Sequence, residues 1–281
     1  MRRFGGKTSQ RWVVVALALA LVLVTGVVSG CGRPKKITIS GSTALAPLLK
    51  QASSDYQGVN SRVTVEVSGG GSFTGLTQVA SGAVNIGASD VPAPPDLASQ
   101  GLVDHKVAVA PFLLVVNPGV SVSNLTAQQA VDIFTGKVTN WKQVGGQDLP
   151  IVIIHRAASS GSRATIKQVV LNGQEFTDKA TILNSNGEVR KAIGQTPGAI
   201  GYIDAAYLDN TVKALSYNGV AYSPQAVIGG QYPIFAYEHL FTKGTPPKNV
   251  QAFLDFVMSP DFQNKWVEQL GFIPMSKMPP R

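Results

Sequence analysis

The alternation of strand and helix signals over residues 37–90 constrains the fold of this chain more than any other feature. Ile37-Thr38-Ile39 predicts a strand, residues 44–56 a helix, Val63 to Val67 an alternating strand, and residues 73–81 a second helix. Asn85-Ile86-Gly87-Ala88 adds a short apolar strand, stopped by Asp90 and the proline-rich Val91-Pro92-Ala93-Pro94-Pro95. A βαβαβ order demands a mostly parallel sheet with helices on its faces. The pattern resumes with helices over 126–134, 160–171 and 187–193 and strands over 151–154, 181–183 and 199–203. Two long apolar runs, 106–116 and 231–242, flank this second set, and each is long enough to cross between two α/β halves. The expected architecture is therefore α/β and two-lobed, with two crossover strands forming a hinge. Lobe one takes residues 37–111 and 235–281, and lobe two takes 112–234. Residues 248–258 and 261–270 predict two closing helices.

The N-terminal segment stays outside this fold. Arg2, Arg3, Lys7 and Arg11 precede an apolar stretch from Trp12 to Val28, and Val28-Ser29-Gly30-Cys31 follows. Basic, apolar and small residues in that order mark an export signal. The four residues ending at Cys31 resemble a bacterial lipobox, which implies cleavage after a signal peptide of residues 1–30 and diacylation of the Cys31 thiol. An uncleaved transmembrane anchor is the alternative, since the run is at the short end of a spanning length. Residues 31–36 then form a polar tether.

Cys31 is the single cysteine, so a chain starting there has neither a disulfide nor a thiolate metal site. His105, His155 and His239 are scattered without ligand spacing, which argues against zinc. Removing the four basic residues of the signal from the 24 in the chain leaves 20 against 16 acids, a net charge of +4. With no Lys/Arg run interleaved with aromatics, this balance argues against nucleic acid as a partner.

Three loops share one chemistry: a strand ends, glycine or serine residues follow, and a helix begins. Ser40-Gly41-Ser42-Thr43 brings hydroxyls to a helix start, where plain N-capping is the simpler role. Ser68-Gly69-Gly70-Gly71-Ser72 lets backbone approach a ligand closely, or is merely a flexible turn. No Gly-Lys-Ser/Thr follows it, so it is not a nucleotide P-loop. The third loop, His155 to Arg163, sets the Arg156 guanidinium beside Ser160, Gly161 and Ser162 at a positive helix end, an oxyanion receptor in outline. Arg163 faces either the anion or solvent. Asp90 is the odd member, since a carboxylate repels an anion unless the ligand offers an O–H. An acceptor within a ring of donors selects protonated oxyanions, unless Asp90 only caps the turn before Pro92.

Gly41-Ser42-Thr43-Ala44-Leu45-Ala46-Pro47, Gly70 to Gly75, Ile86-Gly87-Ala88-Ser89-Asp90, Arg156 to Arg163 and Thr196 to Tyr202 stand in one order over nearly the whole mature chain. Together they resemble the phosphate-binding proteins of bacterial high-affinity phosphate ABC transporters. The resemblance implies a two-lobed periplasmic-binding-protein fold, type II-like, that closes on inorganic phosphate and serves transmembrane permease subunits. It implies ligand contacts from Thr43, Ala44 (by its amide), Ser72, Asp90, Arg156, Ser160, Gly161 and Ser162, with Ser42, Ser89 and Arg163 as neighbours. It implies no catalytic residue, cofactor or metal, and a monomer lipid-anchored on the outer face of the cytoplasmic membrane or in the periplasm. One departure is Ser162, where threonine is common in the family; the hydroxyl is kept.

Three other readings stay open on the residues alone. One is the same fold serving sulfate or molybdate. Another is a phosphohydrolase using Ser160 or Ser162 with His155 as base. The third is a surface adhesin or sensor without a transport partner.

Overall fold

The computed structural model describes residues 35–279 together with Met1. The signal segment and Cys31 lie outside the described residues. No helix among the described residues is long and apolar enough to cross a membrane.

Eleven strands occur among the described residues: β1 (Lys35–Gly41), β2 (Val63–Ser68), β3 (Ile86–Ser89), β4 (Leu102–Val116), β5 (Asn124–Leu125), β6 (Val152–Arg156), β7 (Thr181–Leu183), β8 (Ala199–Asp204), β9 (Lys213–Ala214), β10 (Ser216–Tyr217) and β11 (Phe235–Lys243). Nine form one sheet in the order β2-β1-β3-β11-β4-β8-β6-β7, with β9 on β4. β1 pairs in parallel with β2 and β3, and β6 in parallel with β7 and β8. The antiparallel members are the two long strands in the middle, β4 and β11.

β4 changes partner along its length. Residues up to Pro111 pair with β11, and Phe112 to Val116 pair with β8. Val107 to Val116 are all buried, as a strand covered on both faces requires. A strand of this kind cannot tolerate a polar residue without a partner, which is why its sequence reads as an unbroken apolar run.

The main helices are α1 (Ala46–Val59), α2 (Ser72–Ser81), α3 (Pro95–Ala98), α4 (Ala127–Phe134), α5 (Gly161–Val169), α6 (Asn186–Gln195), α7 (Pro224–Ile228) and α8 (Lys248–Met258). α1 buries Leu48, Leu49, Ala52 and Tyr56, one stripe of a 3.6-residue period. Full burial of each leucine stabilises by about 1.5–3 kcal/mol. Tyr56 meets Phe253 of α8 edge to face with centroids 5.3 Å apart, so the closing helix packs on the first one.

Two boundaries differ from expectation. Lys35 and Lys36, expected in the tether, belong to β1: they pair with Val63 and Thr64, and Lys36 forms an ion pair with Glu66 at 2.8 Å. Their side chains are exposed, so charge on that end of the strand costs nothing. The last helix is not a single α-helix over 261–270. It starts as Pro260–Phe262 and continues as a π-wound turn over Gln263–Val267. Winding with i→i+5 bonds sets Phe262 and Val267 on one side, and both are buried.

Candidate functional site

Four chain turns converge, those that follow β1, β2, β3 and β6. After β1, Ser42 caps the next turn by accepting from the Leu45 N–H at 3.1 Å. After β2, the triple-glycine loop brings Gly71 against the loop that follows β6. Gly71 has φ 93°, and a Cβ there would fall 2.4 Å from the Ser159 carbonyl oxygen. The Phe73 N–H donates to that same carbonyl at 3.1 Å. The glycines are needed for this backbone-to-backbone approach as much as for flexibility.

The loop after β6 places Ser160 as the N-cap of α5, accepting from the Arg163 N–H at 3.2 Å. Gly161 and Ser162 open the helix, and amides of a first turn have no intrahelical partner. Gly161 sits against Ser72: a Cβ there would stand 2.3 Å from Ser72 Oγ and 3.0 Å from Asp90 Cβ. Ser72 Oγ accepts from the Asp90 N–H at 2.9 Å, and Ser162 Oγ donates to Asp90 Oδ2 at 2.7 Å. These side chains are almost fully buried.

Arg156 closes the constellation at 1 % exposure. Its Nη2 donates to the Asn184 carbonyl at 2.9 Å, while Nε and Nη1 are buried without a hydrogen-bond partner. Asp90 Oδ1 is likewise buried and unpartnered. Burial pushes the Arg156 guanidinium down from its ordinary value, and the Asp90 charge opposes that shift most strongly. A buried guanidinium with two free donors and a carboxylate with a free acceptor are costly to leave unmatched. Their presence in one site is an electrostatic receptor for a group that both accepts and donates.

Thr43 bridges to the second half of the sheet. Its Oγ1 accepts from Asn186 Nδ2 at 3.2 Å and from the Asn186 N–H at 3.4 Å, and its carbonyl accepts from Tyr207 OH at 2.6 Å. Asn184, Asn186 and Tyr207 were not singled out by sequence. The signal available was the capping box at α6, Ser185 with Glu188, which marks that helix start in the way the serine loops mark theirs.

The expected set thus gathers Thr43, Ser72, Asp90, Arg156, Ser160, Gly161 and Ser162, with Ala44 buried beside Thr43. Three neighbours turn elsewhere. Ser42 is a cap. Ser89 Oγ donates to the Val91 carbonyl at 2.6 Å, a local turn. Arg163 lays its guanidinium on the Phe176 ring at 5.0 Å and toward Glu175 at 3.9 Å, leaving only its backbone in the cradle. The Ser162 hydroxyl was expected as a donor to the anion, and it instead gives its proton to Asp90. His155 is no base for a serine in this arrangement: Nδ1 contacts the Arg156 carbonyl at 2.9 Å and the ring stacks on Phe176 at 4.5 Å. Burial also pushes its pKa down. No metal-binding cluster occurs among the described residues.

The fold and this anion cradle at strand and helix ends define a solute-binding protein. The match is to the PBP superfamily domain over residues 29–261. The phosphate-binding protein PstS of Bacillus subtilis is 39 % identical over 284 residues, covering 95 % of this chain and 94 % of that one. PstS of Borreliella burgdorferi is 28 % identical over 272 residues, covering 92 % and 97 %. Among solved structures, one from Clostridium perfringens, described as a phosphate ABC transporter substrate-binding protein with bound phosphate, superposes with a TM-score of 0.82 at 28 % identity, covering 86 % of this chain and 100 % of that one. An ABC-type phosphate transport receptor from Vibrio cholerae gives 0.70 at 26 % identity, covering 84 % and 99 %. This chain belongs to the PstS family of phosphate-binding proteins.

Contact between Gly161 and Ser72 joins the two halves of the sheet across the site, so it offers a test of closure. Gly161→Ala is expected to weaken phosphate binding by roughly 5- to 150-fold, since overpacking costs about 1–3 kcal/mol. Gly58→Ala in α1, with open space around the new Cβ, is expected to leave affinity as it is. Titration calorimetry on the two variants reads the difference, and equal affinities would remove the close contact from the binding mechanism.

Proposed function

We propose that this chain captures inorganic phosphate between Thr43, Ser72 and Asp90 on one side and Arg156, Ser160, Gly161 and Ser162 on the other. It passes the ion to the permease of a phosphate ABC transporter. It is a binding protein and not an enzyme. One observation carries the ligand assignment: unpartnered donors on Arg156 and an unpartnered acceptor on Asp90 share one buried site. Phosphate near neutral pH offers oxygens to the guanidinium, to the Thr43 and Ser72 hydroxyls and to the α5 amides, and an O–H to Asp90. Sulfate has no O–H to give, so it leaves the Asp90 charge unpaired, and that penalty is the selectivity.

The lobe boundaries proposed from sequence, 111/112 and 234/235, are supported by the change of strand partner between Pro111 and Phe112 and by the start of β11 at Phe235. Hinge motion about β4 and β11 opens the site, and closure forms the contacts of Ser159 with Phe73 and of Ser162 with Asp90. The closed form is the one the permease reads.

Calorimetry with phosphate, sulfate and arsenate tests the reading. Phosphate is expected to bind with a dissociation constant between nanomolar and micromolar, arsenate to compete, and sulfate to bind weakly. Equal affinity for sulfate and phosphate would defeat the role given to Asp90.

We further place the protein on the outer face of the cytoplasmic membrane, held by lipid on Cys31 after removal of residues 1–30. The reading rests on the basic-apolar-small order of that segment and the position of the single cysteine. Cys31→Ser is expected to release the protein from the membrane fraction. Retention there, at wild-type level, would argue for an uncleaved anchor.

A further inference from the structure

Behind Asp90 lies a carboxyl group that the phosphate site does not use. Glu238 is on β11, one of the two strands shared by both halves of the sheet, and is fully buried at 0 % exposure. β11 pairs with β3 in the register His239 with Ser89, Leu240 with Ala88 and Phe241 with Gly87. One further step in that register sets Glu238 beside Asp90, and directly opposed residues on adjoining strands bring their Cβ atoms to about 4.5–5.5 Å. Neither Glu238 oxygen finds a donor to accept from, and the same holds for Asp90 Oδ1. Asp204 at the end of β8, also fully buried, leaves Oδ2 unpartnered.

Three buried carboxyls therefore accompany one buried guanidinium, Arg156. Were all ionised, the cluster would carry two net negative charges before any anion arrived. Neighbouring buried carboxyls resolve this by keeping protons. Burial first, then the charges of Asp90 and Asp204, then a side-chain contact with Asp90, push the Glu238 carboxyl well up. Burial also pushes Asp204 up. Asp90 is the member that accepts from the Ser162 hydroxyl and faces Arg156.

We propose that Glu238 is a positioning residue for the anion site, a neutral carboxyl that donates its O–H to the Asp90 carboxylate and so keeps Asp90 an acceptor. The inference rests on the phosphate reading above. A carboxylate has about four acceptor sites on its two oxygens, so the Ser162 hydroxyl, the Glu238 O–H and a ligand O–H can all be taken. Donation from Glu238 holds the Asp90 carboxylate in place with an oxygen turned toward the ligand. The carboxylate then accepts the ligand proton in a hydrogen bond without removing it. Without that donor, nothing holds the Asp90 carboxyl turned to the ligand as an acceptor, and the advantage of a protonated oxyanion over sulfate falls.

The test compares Glu238→Gln with Glu238→Leu by calorimetry with phosphate and with sulfate at neutral pH. Glu238→Leu, matched roughly in size and without a donor, is expected to reduce discrimination for phosphate over sulfate by about 10- to 100-fold, the worth of one charge-assisted hydrogen bond. Glu238→Gln keeps an N–H donor and is expected to restore most of that loss. Wild-type discrimination in a folded Glu238→Leu overturns the proposal, as does a Gln variant as impaired as the Leu variant. Should Glu238→Leu not fold, infrared difference spectroscopy of wild type against Glu238→Gln decides. A protonated-carboxyl band lost in the variant supports the proposal, and no such band overturns it. The band is read without ligand, so a failure of phosphate selectivity in wild-type protein is told apart from a failure of this inference.

Discussion

Replacing Arg156 by alanine is expected to reduce phosphate affinity by roughly 30- to 5,000-fold, from the about 2–5 kcal/mol lost when one partner of a buried hydrogen-bonded charge pair is truncated. The side chain is at 1 % exposure, and two of its donors await a partner. Phosphate is then left with neutral donors alone in a site that holds the Asp90 charge. Lysine cannot recover the loss. It brings one point charge where the fork supplies the Asn184 bond and two further directions, so Arg156→Lys is expected to fall between the two. Thermal unfolding with and without phosphate reads the effect independently. A ligand at a hundred times its dissociation constant stabilises by about 2.7 kcal/mol, and Arg156→Ala is expected to show almost none of that gain. An alanine variant binding phosphate as wild type does would move the site away from the β6–α5 loop.

Asp90→Asn is expected to change which anion binds more than how tightly phosphate binds. The amide offers an acceptor and also two N–H donors, so it suits a fully deprotonated oxyanion as well as a protonated one. Sites built around one particular hydrogen bond discriminate by about 10⁴-fold or more, and the variant is expected to lose on the order of 10²-fold of that by gaining sulfate. The substitution also removes the Asp90 charge that helps raise the Glu238 and Asp204 carboxyls. Competition titration of sulfate against bound phosphate measures the outcome. Continued exclusion of sulfate by Asp90→Asn would assign selectivity to pocket shape instead of proton bookkeeping.

The fold was legible because its signals are local. β1, β2 and β3 alternate or run apolar over short stretches, and the helices between them show one buried stripe each. The apolar runs that became β4 and β11 were long enough to cross between the two halves. The end of the chain was less legible. A π-wound turn at Gln263–Val267 depends on which side chains must share a face, and helical periodicity alone does not show that. Lys35 and Lys36 read as tether because charge suggests solvent, yet a strand with an exposed side accepts them.

The candidate site was legible as residue types and not as directions. Serine and threonine after a strand mark helix caps, and Arg156 among them marks an anion. Nothing local says that the Arg163 guanidinium turns to Phe176, that the Ser162 hydroxyl faces Asp90, or that Asn186 and Tyr207 arrive at Thr43 from more than 140 positions away.

Local chemistry by itself determined the α/β alternation, the strand-loop-helix cradles and the one carboxylate among donors, because backbone preference and capping act within a few residues. Tertiary structure alone decided which polar atoms were left unmatched and that Glu238 stands behind Asp90. Those depend on sheet register between β3 and β11, and register is set by the burial of whole faces rather than by any neighbour in sequence.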